Sequence, residues 1–175
     1  IVLAHNFIPH EKRFGDTFFT KYFSKPASGF IAMSKAVQKD IQDWYPAKPV
    51  VFSPHPLYDH FGASLSRAEA LKLLDLDESY RYVLFFGIIR DYKGRDLLLE
   101  AAADSRIAGL KVTFLVAGEF YSDPQPYLDI ISRNKMEDRI VLRQEFIPDE
   151  EVARYFCASD LIAQTYKNAT QSGVA

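Results

Sequence analysis

The residues best suited to chemistry form a short loop in which two cations lie close together. Gly87 directly follows the apolar segment 82–86, and Arg90 and Lys93 come next, just before a stretch with helical periodicity. Glycine allows a sharp turn and lets a ligand approach the backbone. Two cations beside the free N–H groups of a helix N-terminus suit an anion such as a diphosphate. On spacing alone, a solvent-exposed turn with two surface cations is an equally good interpretation.

A run of small polar residues near the end of the sequence is a second candidate anion site. Thr170, Gln171, Ser172 and Gly173 follow the last apolar segment. At the start of a helix, such residues present hydroxyls and backbone N–H groups to a phosphate or a sugar. Similar sequences occur in ordinary capped turns, so the composition alone does not indicate a site. The site is favoured because this segment and the first loop lie at the same end of the predicted sheet.

The histidines and the single cysteine do not predict a metal site. His5 and His10, like His55 and His60, are five positions apart, which does not match the i, i+4 spacing of a helical zinc site. His5 follows a predicted strand and is placed to hydrogen-bond a substrate, although a structural role is the better interpretation from the residues alone. Cys157 is the only cysteine, which excludes an intramolecular disulfide and any multi-cysteine zinc site.

Composition and missing motifs exclude several classes of protein. The formal net charge of −2 over 175 residues gives no basic surface for nucleic acid. No apolar run approaches the roughly 20 residues of a membrane span. The Walker A and G-x-G-x-x-G patterns are absent, so a nicotinamide or flavin cofactor loses its main support. A single cysteine is typical of a reducing compartment, and we expect a cytoplasmic protein.

Short apolar segments alternate with amphipathic ones along most of the chain. Strands are predicted near residues 1–4, 29–33, 50–52, 82–86, 112–117, 140–142 and 160–163, with helices between most of them. Strands without inward–outward alternation, separated by helices, predict a parallel sheet covered on both faces. The order after residue 80 predicts a Rossmann-like, doubly wound α/β sheet, in which ligands bind beyond the carboxyl ends of the strands.

Three helices have recognisable features. Ser34 is a plausible N-cap, and Ser66 with Glu69 has the form of a capping box. A helix over 96–103 is expected to turn four residues towards the sheet, namely Leu97, Leu98, Ala101 and Ala102. We recognise no basic amphipathic helix that would indicate membrane contact.

The segment 86–101, FGIIRDYKGRDLLLEA, resembles the signature G-x-x-x-x-x-K-G-x-x-x-L-L-x-A of group 1 (family 4) glycosyltransferases of the GT-B fold. Further segments resemble that family in the expected order: FLVAG at 114–118, RIVL at 139–142, FIPDEEV at 146–152, ASDLI at 158–162, and the donor-site loop at 166–174. At the front, residues 4–11 and 30–34 look like the end of the family's acceptor domain. The resemblance covers nearly the whole chain.

The resemblance implies one half of a GT-B protein. Residues 1–60 would be a remnant of the N-terminal acceptor domain with the linker, and 61–175 an incomplete C-terminal nucleotide-sugar-binding domain. We therefore expect an excerpt that is truncated at both ends and inactive alone. The implied activity is hexosyl transfer from a nucleotide-sugar to an acceptor hydroxyl with retention of configuration, in polysaccharide or glycan biosynthesis. No metal and no cofactor would be required, since the nucleotide-sugar is the substrate.

The resemblance also implies roles for particular residues. The implied roles are donor diphosphate binding by Gly87, Arg90 and Lys93; nucleotide base binding by Gly118, Phe146 and Ile147; sugar and phosphate binding by Thr170, Gln171, Ser172 and Gly173; and acceptor contact by His5. Two positions depart from the family pattern. Ile88 stands where many members have arginine, so Arg90 would have to supply that cation. Thr170 stands where the first glutamate of E-x7-E is usual, so the catalytic residues are unassigned.

The implied partners are a nucleotide-sugar donor and a glycan or lipid-linked acceptor, without nucleic acid. Peripheral association with the inner face of a membrane, through acceptor-domain residues outside this sequence, is one alternative for its location. Two other functions stay open. One is a non-catalytic nucleotide- or anion-binding domain on the same fold, which is favoured only by the threonine at position 170 in place of the usual glutamate. The other is a nicotinamide-dependent dehydrogenase, which shares the fold class, although this sequence lacks the glycine fingerprint of such enzymes.

Overall fold

The computed structural model describes residues 1–9, 14–56, 58, 60–121 and 123–167. The chain divides into two compact units, Ile1–Leu57 and Tyr58–Lys167. The predicted sugar and phosphate loop, from Thr170 to Gly173, lies outside the described residues. Over the part of the chain that is described, no helix is long and apolar enough to cross a membrane.

The first unit is a small parallel sheet with two helices. Its strands β1 (Val2–Ala4), β2 (Phe30–Ala32) and β3 (Val50–Phe52) lie in the order β1-β2-β3. Helix α1 is Asp16–Ser24 and helix α2 is Lys35–Trp44. The predicted N-cap of α2 is confirmed, because the hydroxyl of Ser34 accepts a hydrogen bond from the Val37 N–H.

Helix α1 is not predicted by the sequence pattern, and its apolar residues explain why. The side that faces the unit is polar: Ser24 is buried, and its hydroxyl lies 2.8 Å from the hydroxyl of Tyr45 at the C-terminal end of α2. The aromatic residues of the helix and its approach are exposed instead, namely Phe14, Phe18, Phe19, Tyr22 and Phe23. The helix is therefore amphipathic, and the charge of Lys21 in its last turn is balanced by that of Asp16 in its first turn.

The second unit contains a four-stranded parallel sheet. The strands are β4 (Arg81–Phe86), β5 (Val112–Ala117), β6 (Ile140–Arg143) and β7 (Leu161–Ile162), in the order β6-β5-β4-β7. The helices are α3 (Arg67–Leu73), α4 (Arg95–Ala103), α5 (Ser105–Ala108), α6 (Gln125–Arg133) and α7 (Asp149–Ala158). The chain runs outward from β4 to β6 and then crosses to β7 on the other side. This reversal is that of a doubly wound sheet.

Two hydrophobic layers cover this sheet, one on each face. Leu84 of β4 packs in the layer that includes α3 and α7, whereas the next residue, Phe85, packs in the layer that includes α4 and α6. Both faces of each central strand are thus buried, which accounts for the continuous apolar runs in the sequence. The predicted Rossmann-like α/β sheet with helices on both faces is confirmed.

The buried face of helix α4 differs in part from the predicted one. Leu98 and Ala102 are buried as predicted, but Leu97 and Ala101 are exposed, so that part of the prediction is wrong. Leu99 takes their place in the core. The buried residues are Arg95, Leu98, Leu99 and Ala102, which follow the i, i+3, i+4, i+7 spacing of one helix face. The capping box of Ser66 and Glu69 at the start of α3 is confirmed.

A carboxylate joins the starts of β4 and β7. Asp160 accepts a hydrogen bond from the Tyr82 N–H at 2.8 Å and from the guanidinium of Arg81 at 2.6 Å. Arg67 contacts the same carboxylate at 3.2 Å. Partial burial raises the pKa of Asp160, but these hydrogen bonds outweigh it and hold the pKa below its ordinary value. Asp160 thus stabilises the end of the sheet opposite the loops that follow β4 and β5.

Candidate functional site

The carboxyl end of β4 lies at the point where the sheet changes direction. Strand β4 pairs with β5 on one side and with β7 on the other, and the chain leaves these neighbours in different directions. In doubly wound sheets this point forms a crevice that receives ligands. The loop that holds Gly87, Arg90 and Lys93 starts here.

Two glycines bring the loops after β4 and β5 into backbone contact. Gly87 has a φ of 104° and Gly118 a φ of 138°, values that side chains rarely allow. The N–H of Gly87 donates to the carbonyl of Ala117 at 2.9 Å. A Cβ atom on Gly118 would overlap the carbonyl group of Gly87. Gly118 therefore has a structural reason to be glycine, beside any role in binding a base.

Hydrogen bonds hold these two loops together beyond the ends of their strands. The N–H of Ile89 donates to Glu119 at 2.8 Å, and the N–H of Tyr121 donates back to the carbonyl of Ile89 at 3.3 Å. Ile89 is fully buried. The backbone before Arg90 is thus fixed by packing and by pairing.

Lys93 is half-buried, and its ammonium lies against Gly87. A Cβ atom on Gly87 would be 3.1 Å from Lys93 Nζ, so the missing side chain leaves room for the ammonium. Burial lowers the pKa of Lys93 below its ordinary value, and the nearby charge of Arg90 lowers it further. Among the residues that the structure describes, no carboxylate forms an ion pair with Lys93. This is the electrostatic situation that an incoming anion would relieve.

Arg90 is exposed and lies on the same turn as Lys93. Its guanidinium carbon is 5.4 Å from the ring centroid of Tyr121, and its carbonyl accepts a hydrogen bond from the Lys93 N–H at 3.1 Å. The structure thus brings Gly87, Arg90 and Lys93 together beyond the carboxyl end of β4.

Arg95 was not singled out in the sequence, although it is the first residue of α4. Only 1% of it is exposed, and its guanidinium carbon lies 3.9 Å from the ring centroid of Phe120 and 3.4 Å from that of Tyr127. Cation–π contacts of this kind are strongest when desolvated. The signal was available, since Arg95 falls on the same helix face as Leu98 and Leu99. Charged residues are rarely buried without a partner, so the residue type alone predicts an exposed position for Arg95.

The predicted base-binding residues lie after β5 and β6. The N–H of Gly118 donates to the carbonyl of Arg143 at 2.9 Å, which joins the ends of these neighbouring strands. Phe146 is 69% exposed, so its ring is available to a ligand. Ile147 is 8% exposed and packs in the core with Val152, so only its backbone is free for contact.

His5 belongs to the first unit and is described there alone. It is exposed and follows β1, and its ring centroid is 5.4 Å from that of His55, which follows β3. The sequence did not predict this pairing of two histidines. Within the described ranges, no group of three or more histidine, cysteine or acidic residues could hold a metal ion.

The fold is that of the GT-B glycosyltransferases. Sucrose-phosphate synthase from Thermosynechococcus elongatus matches 99% of this chain with a TM-score of 0.81 at 18% sequence identity. HepE from Anabaena, in complex with UDP-glucose, matches 97% with a TM-score of 0.73 at 19% identity. WaaG, a glycosyltransferase involved in lipopolysaccharide biosynthesis, matches 92% with a TM-score of 0.71 at 16% identity.

These similarities concern part of each larger protein. The chain covers 46% of the sucrose-phosphate synthase, 47% of HepE and 49% of WaaG, so it spans about half the length of the structures that it matches. No protein-family model matches the sequence. A comparison with curated protein sequences also gave no match.

Proposed function

We propose that this chain is the donor-binding part of a glycosyltransferase that uses a nucleotide-sugar. The observation that carries the proposal is the half-buried ammonium of Lys93, which lies against Gly87 at the switch point of the sheet without a carboxylate partner among the described residues. Arg90 adds a second cation on the same turn. Two cations on one turn suit a diphosphate, and the carboxyl edge of the sheet is where a ligand of this fold would lie.

The chemistry follows from the charge that develops during transfer. The acceptor hydroxyl attacks the anomeric carbon, the bond from that carbon to the phosphate oxygen breaks, and a nucleoside diphosphate leaves with the bonding electrons. The hydroxyl proton passes to a departing phosphate oxygen. Cations that meet the leaving diphosphate stabilise the transition state more than the ground state, because the negative charge on that group grows. Lys93 and Arg90 would serve in this role, and no protein nucleophile is needed for retention of configuration.

Titration calorimetry with UDP-glucose, GDP-mannose and ADP-glucose tests the donor site. We expect one of these donors to bind. Lys93→Ala should lower the affinity for that donor roughly 10- to 100-fold, because it removes a charge-assisted contact. Lys72→Ala is the matched control, since Lys72 is an exposed lysine in the last turn of α3. The proposal fails if none of the three donors binds, or if both lysine variants bind equally well.

Addition of EDTA tests whether donor binding depends on a divalent metal ion. Because Arg90 and Lys93 would neutralise the diphosphate, we expect donor affinity to be independent of divalent cations. A loss of affinity in EDTA that Mg²⁺ restores would contradict this part of the proposal.

The acceptor and the cellular setting rest on the resemblance alone. We propose a glycan or lipid-linked acceptor, polysaccharide biosynthesis, and a cytoplasmic location at the inner face of a membrane. The chain spans about half of the matched structures, so we expect donor binding but no turnover from these residues alone. If the full-length protein bound the donor but neither transferred nor hydrolysed it, a non-catalytic binding domain would be the better description.

A further inference from the structure

The segment that follows β7 packs on the turn that contains Lys93. The hydroxyl of Thr165 contacts two carbonyls of that turn, those of Lys93 at 3.1 Å and Gly94 at 2.6 Å. The N–H of Lys167 donates to the carbonyl of Tyr92 at 2.7 Å. The segment and the turn are thus joined along three consecutive residues.

Gly94 shows how close this packing is. Its φ is 67°, and a Cβ atom there would overlap the carbonyl group of Thr165. Only glycine allows the two backbones to approach this closely. In the first turn of α4, the ammonium of Lys167 forms an ion pair with Asp96.

Tyr166 lies between these two attachments, and its ring faces Lys93. The Lys93 Nζ atom is 5.5 Å from the ring centroid of Tyr166, within the range of a cation–π contact. The ring of Tyr92 meets that of Tyr166 edge to face, at 6.1 Å and 71°. Tyr166 is itself half-buried, so its ring has a defined place.

We propose that Tyr166 is a positioning residue for the diphosphate site and holds the Lys93 ammonium beside Gly87. The inference rests on the proposed function, since it assumes that Lys93 binds the diphosphate. A lysine side chain is long and flexible, and its ammonium is a compact charge that can take many positions. Because the ring of Tyr166 and the backbone of Gly87 both lie close to the ammonium, the charge is confined before the ligand arrives, which lowers the ordering cost of binding.

The effect of the ring is separable from that of the charge. Tyr166→Phe keeps the aromatic face, so affinity for a diphosphate should stay within about twofold of wild type. Tyr166→Leu removes the face but keeps an apolar side chain, and we expect a loss of about 3- to 30-fold. Lys93→Ala removes the charge and should lose at least as much.

Inorganic pyrophosphate is the probe, because it has no base or sugar and so reports on the diphosphate site alone. Binding to wild type, Tyr166→Phe, Tyr166→Leu and Lys93→Ala is measured by NMR chemical-shift titration. Tyr80→Leu is the matched control, since Tyr80 packs against the core beside Arg81, at the other end of β4. Thermal unfolding of each variant shows whether it is folded.

The results distinguish the proposed diphosphate site at Lys93 from the positioning role of Tyr166. The inference is supported if Tyr166→Leu loses affinity while Tyr166→Phe and Tyr80→Leu keep it. If Lys93→Ala loses affinity but Tyr166→Leu binds like wild type, the positioning role is wrong and the proposed diphosphate site stands. If Tyr166→Phe and Tyr166→Leu lose affinity equally, the ring face is not what matters and the inference is again overturned. If wild type does not bind pyrophosphate, both the site and the inference fail.

Discussion

Replacing Gly118 with alanine tests the geometry of the site without any ligand. The residue has a φ of 138°, and a Cβ atom there would overlap the carbonyl group of Gly87. A side chain in this backbone region costs about 1–3 kcal/mol. Relief of the overlap would also strain the hydrogen bond from Ile89 to Glu119, which is worth about 1 kcal/mol. We therefore expect Gly118→Ala to lower the free energy of unfolding by roughly 2–4 kcal/mol.

Urea unfolding followed by circular dichroism measures this loss, and Gly109→Ala is the matched control. Gly109 has an ordinary φ of −86°, and an added Cβ would meet nothing within 4 Å. Its replacement should change the free energy of unfolding by less than about 1 kcal/mol, in the stabilising direction if at all. If the free energies of unfolding of the two alanine variants differed by less than about 0.5 kcal/mol, the close approach of the two loops would be refuted.

Three further changes have expected outcomes in thermal or urea unfolding. Ser66→Ala removes the capping box of α3 and should cost about 1 kcal/mol, whereas Ser66→Thr should not; equal losses would contradict the cap. Asp160→Asn should cost about 1–3 kcal/mol at pH 7. The pKa of Asp160 is lowered in the folded state, so the stability that its carboxylate contributes is complete above the unfolded pKa of about 3.9 and is lost as the pH falls through the folded pKa. Asp160→Asn should therefore lose less stability than the wild type as the pH is lowered. An acid profile identical to that of the wild type would be evidence against this. Leu98→Ala should cost about 2–5 kcal/mol and Leu97→Ala less than about 0.5 kcal/mol, and the reverse order would mean that the buried face of α4 is misassigned.

The strands of the second unit could be predicted because burial on both faces leaves continuous apolar runs. The helix starts at Ser34 and Ser66 could be predicted because a capping side chain acts within three residues. The loop from Gly87 to Lys93 is a predicted site because glycine and two cations after a strand have a direct chemical meaning, and its role stays a prediction. The strands and the two helix starts are local signals, and the structure agrees with them.

The remaining features depend on contacts between distant segments. Helix α1 was missed because its polar side faces the unit and its aromatic side faces outward, the reverse of the usual pattern. Arg95 was missed because its aromatic neighbours come from the next loop and helix. The contact of Tyr166 with Lys93 joins the ends of two strands, and no spacing along the sequence reports it.

The pairing of β7 with β4 is short, and this creates a gradient of local stability across the sheet. Only Val83 and Leu84 have partners in β7, and the last hydrogen bond of the ladder runs from the Ala163 N–H to the Leu84 carbonyl at 2.8 Å. Asp160 secures the opposite end. Segments with few backbone bonds open more readily than paired ones, and ligand-binding elements are commonly drawn from them. Amide hydrogens near Asp160 would therefore be protected by the sheet, whereas the protection of those past Ala163 would depend on the contacts of Thr165 and Lys167 with the turn that contains Lys93.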